Sequence, residues 1–98
     1  MKPPVLCLLL LLLLPAGTAG ASEQQRARDL VEQGQILPLT DIIAHARAVQ
    51  PGRILEVELK RKRDVWLYEL EILDAQGQVW ELLLDASTGS VLQRKRED

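Results

Sequence analysis

Between residues 54 and 84 the chain repeatedly alternates apolar with polar side chains. The alternation is clearest in Ile54-Leu55-Glu56-Val57-Glu58-Leu59 and in Val65-Trp66-Leu67-Tyr68-Glu69-Leu70-Glu71-Ile72. A period of two sends successive side chains to opposite faces of a strand. Strands of this kind form an antiparallel sheet with one wet face and one face that must be covered. Asp74-Ala75-Gln76-Gly77 reads as a turn, residues 78–84 as a third strand, residues 85–89 as a second turn and residues 90–93 as a short last strand. Parity along the strands puts Leu55, Val57 and Leu59 on the covered face with Trp66, Tyr68, Leu70 and Ile72, and with Trp80, Leu82 and Leu84. All three aromatic residues of the chain fall on that face. Each buries on the order of 150–250 Å² when packed, so they read as core and not as a binding platform.

The cover has to come from the preceding segment, where the period is helical. Residues 22–33 are polar and helix-favouring, with a narrow stripe of Ala27, Leu30 and Val31 and a stop at Gly34. Residues 35–38 are expected to run extended, because the residue before Pro38 is pushed away from helical angles. Thr40 is the expected N-cap of a second helix, with Asp41 in its first turn and Leu39, Ile42, Ile43, Ala46 and Val49 within one arc. Pro51-Gly52 ends it. The expected fold class is α+β: one or two N-terminal helices packed on one face of an antiparallel three- to four-stranded sheet.

The start of the chain has a different character. Met1 and Lys2 precede an unbroken apolar run from Val5 to Leu14, followed by Pro15-Ala16-Gly17-Thr18-Ala19-Gly20-Ala21. This is the layout of a secretory signal peptide with cleavage after Ala21. The run of ten is too short for a membrane-spanning helix, which needs about 20 apolar residues. Cys7 leaves with the leader, so the mature chain has no cysteine, which excludes a disulfide framework, a cysteine nucleophile and a thiolate metal site. The expected location is periplasmic or secreted. The expected organisation is a leader over residues 1–21, a helical extension over 22–36, the domain over 37–94 and a charged tail over 95–98.

The order of elements, an amphipathic helix, Pro51-Gly52, a Glu-Val-Glu strand, a Trp-x-Tyr-Glu strand, a glycine turn and then Leu84-Asp85-Ala86-Ser87-Thr88-Gly89-Ser90-Val91, resembles the PepSY domain over residues 37–93. The sharpest piece is Asp85-x-x-Thr88-Gly89-x-Val91. The resemblance implies a small non-catalytic α+β module of exported bacterial proteins, also found in the propeptides of thermolysin-type metallopeptidases, that binds or restrains other proteins. Its implied partner is an envelope protein such as a peptidase or a membrane sensor. The motif itself has the chemistry of a turn: Asp85 and Thr88 accept backbone hydrogen bonds and Gly89 takes a positive φ without steric cost.

No reactive constellation stands out. His45 is the single histidine, placed on the flank of the second helix and, by this reading, on the far side of the sheet from Ser87 and Ser90. There is no phosphate-binding glycine loop or metal-ligand spacing of His and Cys, so neither an enzyme nor a cofactor is expected. The wet face gathers Glu56, Glu58, Glu69, Glu71 and Glu81 around Leu67 and Leu83. It reads as a solvated face, and in a sharper version as a docking surface for a basic partner or an oxygen-ligand site for a small ligand or divalent cation. Lys60-Arg61-Lys62-Arg63 forms the first hairpin tip and Arg94-Lys95-Arg96 lies near the end of the chain. In a four-strand meander these clusters sit at opposite ends, and the mature chain carries eleven basic against fourteen acidic residues, so nucleic acid is not an expected partner. Contact of the hairpin tip with anionic lipid is a further reading. So is a homodimer that pairs edge strands or buries Leu67 and Leu83.

Overall fold

The computed structural model describes residues 22–97; the leader read in residues 1–21 lies outside the described residues, as does Asp98. Helix α1 spans residues 22–32, and helix α2 spans Leu39–Val49. Strands β1 (Arg53–Lys62), β2 (Val65–Leu73), β3 (Val79–Asp85) and β4 (Val91–Arg96) follow. They form one sheet in the order β1-β2-β3-β4, each antiparallel to its neighbour. The α+β class and the helix-before-sheet order are those expected from the change of period. No helix among the described residues is long and apolar enough to cross a membrane.

The registers turn the two faces into rows. On the inner face run Ile54–Ile72–Trp80–Arg96, Val57–Leu70–Leu82–Arg94 and Leu59–Tyr68–Leu84–Val91, with Arg61 opposite Trp66 at the tip. Ile42, Leu70, Ile72, Leu82 and Leu84 are the largest side chains with essentially no exposure, joined in the core by Leu30, Ile36, Ala46, Tyr68 and Ala86. Tyr68 is buried with the core, and burial raises its phenol pKa. Trp66 and Trp80 pack at its margin.

Three expectations change at the edges of this core. Leu55 is 42% exposed, because the β1–β2 register shifts between Ile54 and Glu56. The bulge makes Leu55 the extra residue and hands its inward place to Ile54, which faces Ile72. Helix α2 starts two residues earlier than a Thr40 cap requires: Pro38 holds the N-cap position, and its carbonyl accepts the Ile42 amide at 3.2 Å. The α2 stripe is also narrower than its arc, since Ile42 and Ala46 are buried and Ile43 half-buried while Leu39 and Val49 stand exposed.

Two connections impose special backbone geometry. Gly52 turns the chain from α2 into β1 at φ 150°, where a Cβ would run into the Leu73 carbonyl and the Ile72 side chain. At the β1–β2 tip, Arg63 and Asp64 both take positive φ, 51° and 66°. Two residues at positive φ between the paired Lys62 and Val65 match a type I′ hairpin turn, which favours Asn-Gly. Arg63 therefore serves the turn at a conformational cost. The double substitution Arg63→Asn with Asp64→Gly is expected to stabilise the domain by about 1 kcal/mol, raising the melting temperature by roughly 5 °C in calorimetry.

Candidate functional site

The signature turn lies between β3 and β4 and is built from its own side chains. Asp85 Oδ1 accepts the Ser87 amide at 2.8 Å and the Ser87 hydroxyl at 2.7 Å. These hydrogen bonds, with the Thr88 amide, hold the Asp85 carboxyl below the usual carboxylate range. Thr88 Oγ1 accepts the Ser90 amide at 3.2 Å, and the Gly89 amide donates to the Asp85 carbonyl at 2.8 Å. The turn is also a joint: the Ala86 amide donates to the Trp66 carbonyl, and the Ala86 carbonyl accepts the Leu37 amide, 2.9 and 2.8 Å.

Gly89 carries the tightest contact. At φ 82° a side chain there is strained, and a Cβ would lie 2.5 Å from the ring of His45. The histidine therefore stands beside the turn that carries Ser87 and Ser90, which corrects its expected place across the sheet. The reason is that α2 lies over β3 and β4, so its flank faces the β3–β4 turn. No hydrogen bond joins His45 to either serine among the described residues, and the ring acts as a packing surface. Gly89→Ala is expected to cost about 2–3 kcal/mol. The double variant with His45→Ala is expected to recover the part due to the clash and keep the φ strain. Chemical denaturation of the four proteins of that cycle measures the coupling.

A cleft opens between α1 and the β1–β2 end of the inner face. One lobe, of about 600 Å³, includes Ala27, Leu39, Val57, Leu59, Trp66 and Tyr68 in its lining, with Glu23 and Glu58 at its margin. The adjoining lobe, of about 610 Å³, includes Gln25, Arg26, Asp29, Arg61 and Trp66. Arg26 and Trp66 line both lobes. The cleft thus has an apolar floor, with Arg26, Asp29 and Arg61 around one lobe and Arg26, Glu23 and Glu58 around the other.

The basic clusters are partly drawn into the fold. Arg61 lies over the Trp66 ring at 5.1 Å and faces Asp64 at 3.4 Å. Arg94 lies over Trp80 at 4.6 Å and donates to Gln50 Oε1 at 2.9 Å. Each tryptophan at the core's margin is covered by an arginine from the strand beside it, a cation–π arrangement. Gln50, just after α2, is buried, a role that the polarity of its side chain conceals in the sequence. Lys60 pairs with Glu69 at 3.0 Å, which raises the Lys60 pKa. The tip and the Arg94–Arg96 cluster do sit at opposite ends of the sheet.

The outer face brings the five glutamates together as rows. Glu56–Glu71–Glu81–Lys95 crosses all four strands, and Glu58–Glu69–Leu83–Gln93 runs beside it. Lys95 reaches Glu81 only at 3.9 Å. Leu67, expected among the wet residues, is on this face but buried, between Lys60 and Asp85 in the register. Glu71, Glu81 and Glu97 offer carboxylate oxygens within 4.8 Å of one another. Glu97 escapes a strand-parity reading because it follows β4; its amide bonds to the Val79 carbonyl at 2.8 Å and brings it alongside. Partial burial, then the contact with Glu97 and the charges of Glu97, Glu56 and Glu81, raise the Glu71 pKa.

These carboxylates give the protein two opposing pH dependences. The raised Glu71 pKa means the folded state binds protons more readily, so its contribution is present at low pH and is lost as pH rises through the folded value. Asp74 is held low by the Trp80 indole N–H, then by the Gln78 and Gln76 amides, and Asp85 by its own turn. Their contributions are present above the ordinary carboxylate range and vanish as pH falls through the folded values. Melting temperature is therefore expected to hold or rise slightly as pH falls from neutral toward about 5, then to drop below about 4. Glu97→Gln is expected to raise the neutral-pH value and flatten the upper part of the profile.

A protein-family model described as "Peptidase propeptide and YPEB domain", PepSY, matches residues 36–95, well over half of the chain. No curated protein and no solved structure matches it.

Proposed function

The chain belongs to the PepSY family, and on that footing we propose that it is an exported, non-catalytic module that holds a segment of a partner protein in the cleft between α1 and the sheet. The observation that carries this reading is the cleft itself. Its floor of Val57, Leu59, Trp66 and Tyr68 suits the apolar side chains of an extended segment, and the mixed charges of Arg26, Asp29, Arg61, Glu23 and Glu58 around it suit the segment's polar groups. Trp and Arg side chains are the types that dominate protein-binding energetics. The family description and the layout of the leader favour a peptidase, or the outer part of a membrane sensor, as the partner class. The signature turn serves this function indirectly: Asp85, Thr88 and Gly89 hold the β3–β4 hairpin against α2.

The acidic face supports cation binding less well. Two of its glutamates, Glu69 and Glu81, already face lysines from neighbouring strands. The experiment is an inhibition assay against thermolysin-type metallopeptidases, with progress curves recorded at increasing concentrations of the protein. Saturable inhibition is expected, weakened roughly tenfold or more by Leu59→Glu or Trp66→Ala, as truncation of a central anchor costs 1–2 kcal/mol or more. Inhibition unchanged in both folded variants would rule out the cleft. A calcium titration that raises the melting temperature sharply would favour the acidic face instead.

A further inference from the structure

Strand β1 is an edge strand, ten residues long, with one side of its backbone free of any strand among the described residues. Its outer-face side chains after the bulge read Glu56, Glu58, Lys60, Lys62. That order is its own complement when reversed. From this pattern we infer that β1 pairs with β1 of a second copy of the chain, antiparallel across a two-fold axis at Leu59, joining two four-stranded sheets into one.

The register follows from the charges. Centring the pair on Leu59 sets Glu56 opposite the partner's Lys62 and Glu58 opposite the partner's Lys60, and the two-fold repeats both pairs. Four opposite-charge cross-strand pairs then form on one face. On the other face Leu59 meets the partner's Leu59, and Val57 meets the stem of the partner's Arg61, at the margin of the apolar lobe beside the edge. The ladder spans residues 56–62 and stops where the register shift between Ile54 and Glu56 begins, so the irregular part of the strand lies outside it.

Within one chain the same glutamates are poorly placed. Glu56 faces Glu71 and Glu58 faces Glu69 on β2, like charges directly across the pair. Lys62 faces Val65 and makes no ion pair among the described residues. The lysines that the second copy supplies on the open side offset this repulsion. Edge lysines ordinarily block strand pairing. Here they reject other edges and other registers, because only the Leu59-centred pairing sets a glutamate of the second copy opposite each one, joining the Glu69 that Lys60 already faces.

The test is sedimentation velocity on the purified protein and two charge variants. The wild-type protein is expected to sediment as a dimer at low salt and to shift toward monomer as salt rises, since the pairs are solvent-exposed. Glu56→Lys with Glu58→Lys makes the edge wholly basic, and Lys60→Glu with Lys62→Glu makes it wholly acidic. Each variant alone is expected to lose the dimer, and an equimolar mixture is expected to regain it as a heterodimer. The basic variant places lysines opposite Glu71 and Glu69, so its fold is expected to survive, as circular dichroism checks. A monomeric wild-type protein at low salt, or folded variants that dimerise alone as the wild type does, would overturn the inference. The two tests are told apart by Trp66→Ala, which changes the cleft on β2 and leaves the β1 ladder intact, whereas Leu59 and Glu58 belong to both surfaces.

Discussion

A sheet with one apolar face cannot stand alone in water, and everything else in this protein follows from covering it. The inner rows built on Leu70, Ile72, Leu82 and Leu84 are fully removed from solvent only because the two helices preceding the sheet lie across them. The cover is fastened at three points, each near an end of α2 or along its flank. Leu37 bonds to Ala86, His45 rests on Gly89, and Gln50 takes a hydrogen bond from Arg94. Ala46, with no exposed surface, shows how near α2 comes to the sheet. The family's signature turn belongs to this fastening, which is a physical reason for an Asp, a Thr and a Gly at those spacings.

The margins of the core set where the cleft lies. The two tryptophans, expected in the core, are only half-buried at its border, where Arg61 and Arg94 cover their faces. At the β1–β2 end, α1 leaves a cleft whose floor is the continuation of the core rows. Cleft floor and core are therefore one apolar face, separated only by where the helices stop covering it.

The fold was legible in the sequence because period and parity are local properties. Strand alternation, Gly34, Pro38 and Pro51-Gly52 mark the elements, and the glutamate face follows from counting by twos. The same counting failed at Leu55, since one extra residue at a bulge exchanges the faces and leaves no local trace. It also missed Glu97 and Gln50, whose positions depend on where β4 and α2 end relative to other elements. The basic run Lys60-Arg61-Lys62-Arg63 reads as one patch, yet its members divide among an ion pair, an indole face, the outer edge and a strained turn.

Side-chain pattern alone carried the class of fold, most of the strand faces, the inward-facing aromatics, the signature turn and the single cysteine at residue 7. Each of these is set by side-chain type and short-range spacing, which a chain carries with it whatever it packs against. It took the packing of distant elements to bring His45 to Gly89, Arg94 over Trp80, Glu97 to Glu71 and Glu81, and Arg26 and Trp66 into one cleft. Those are meetings between residues on different elements. They depend on strand register and on the angle at which helices settle on a twisted sheet, and no local pattern encodes either.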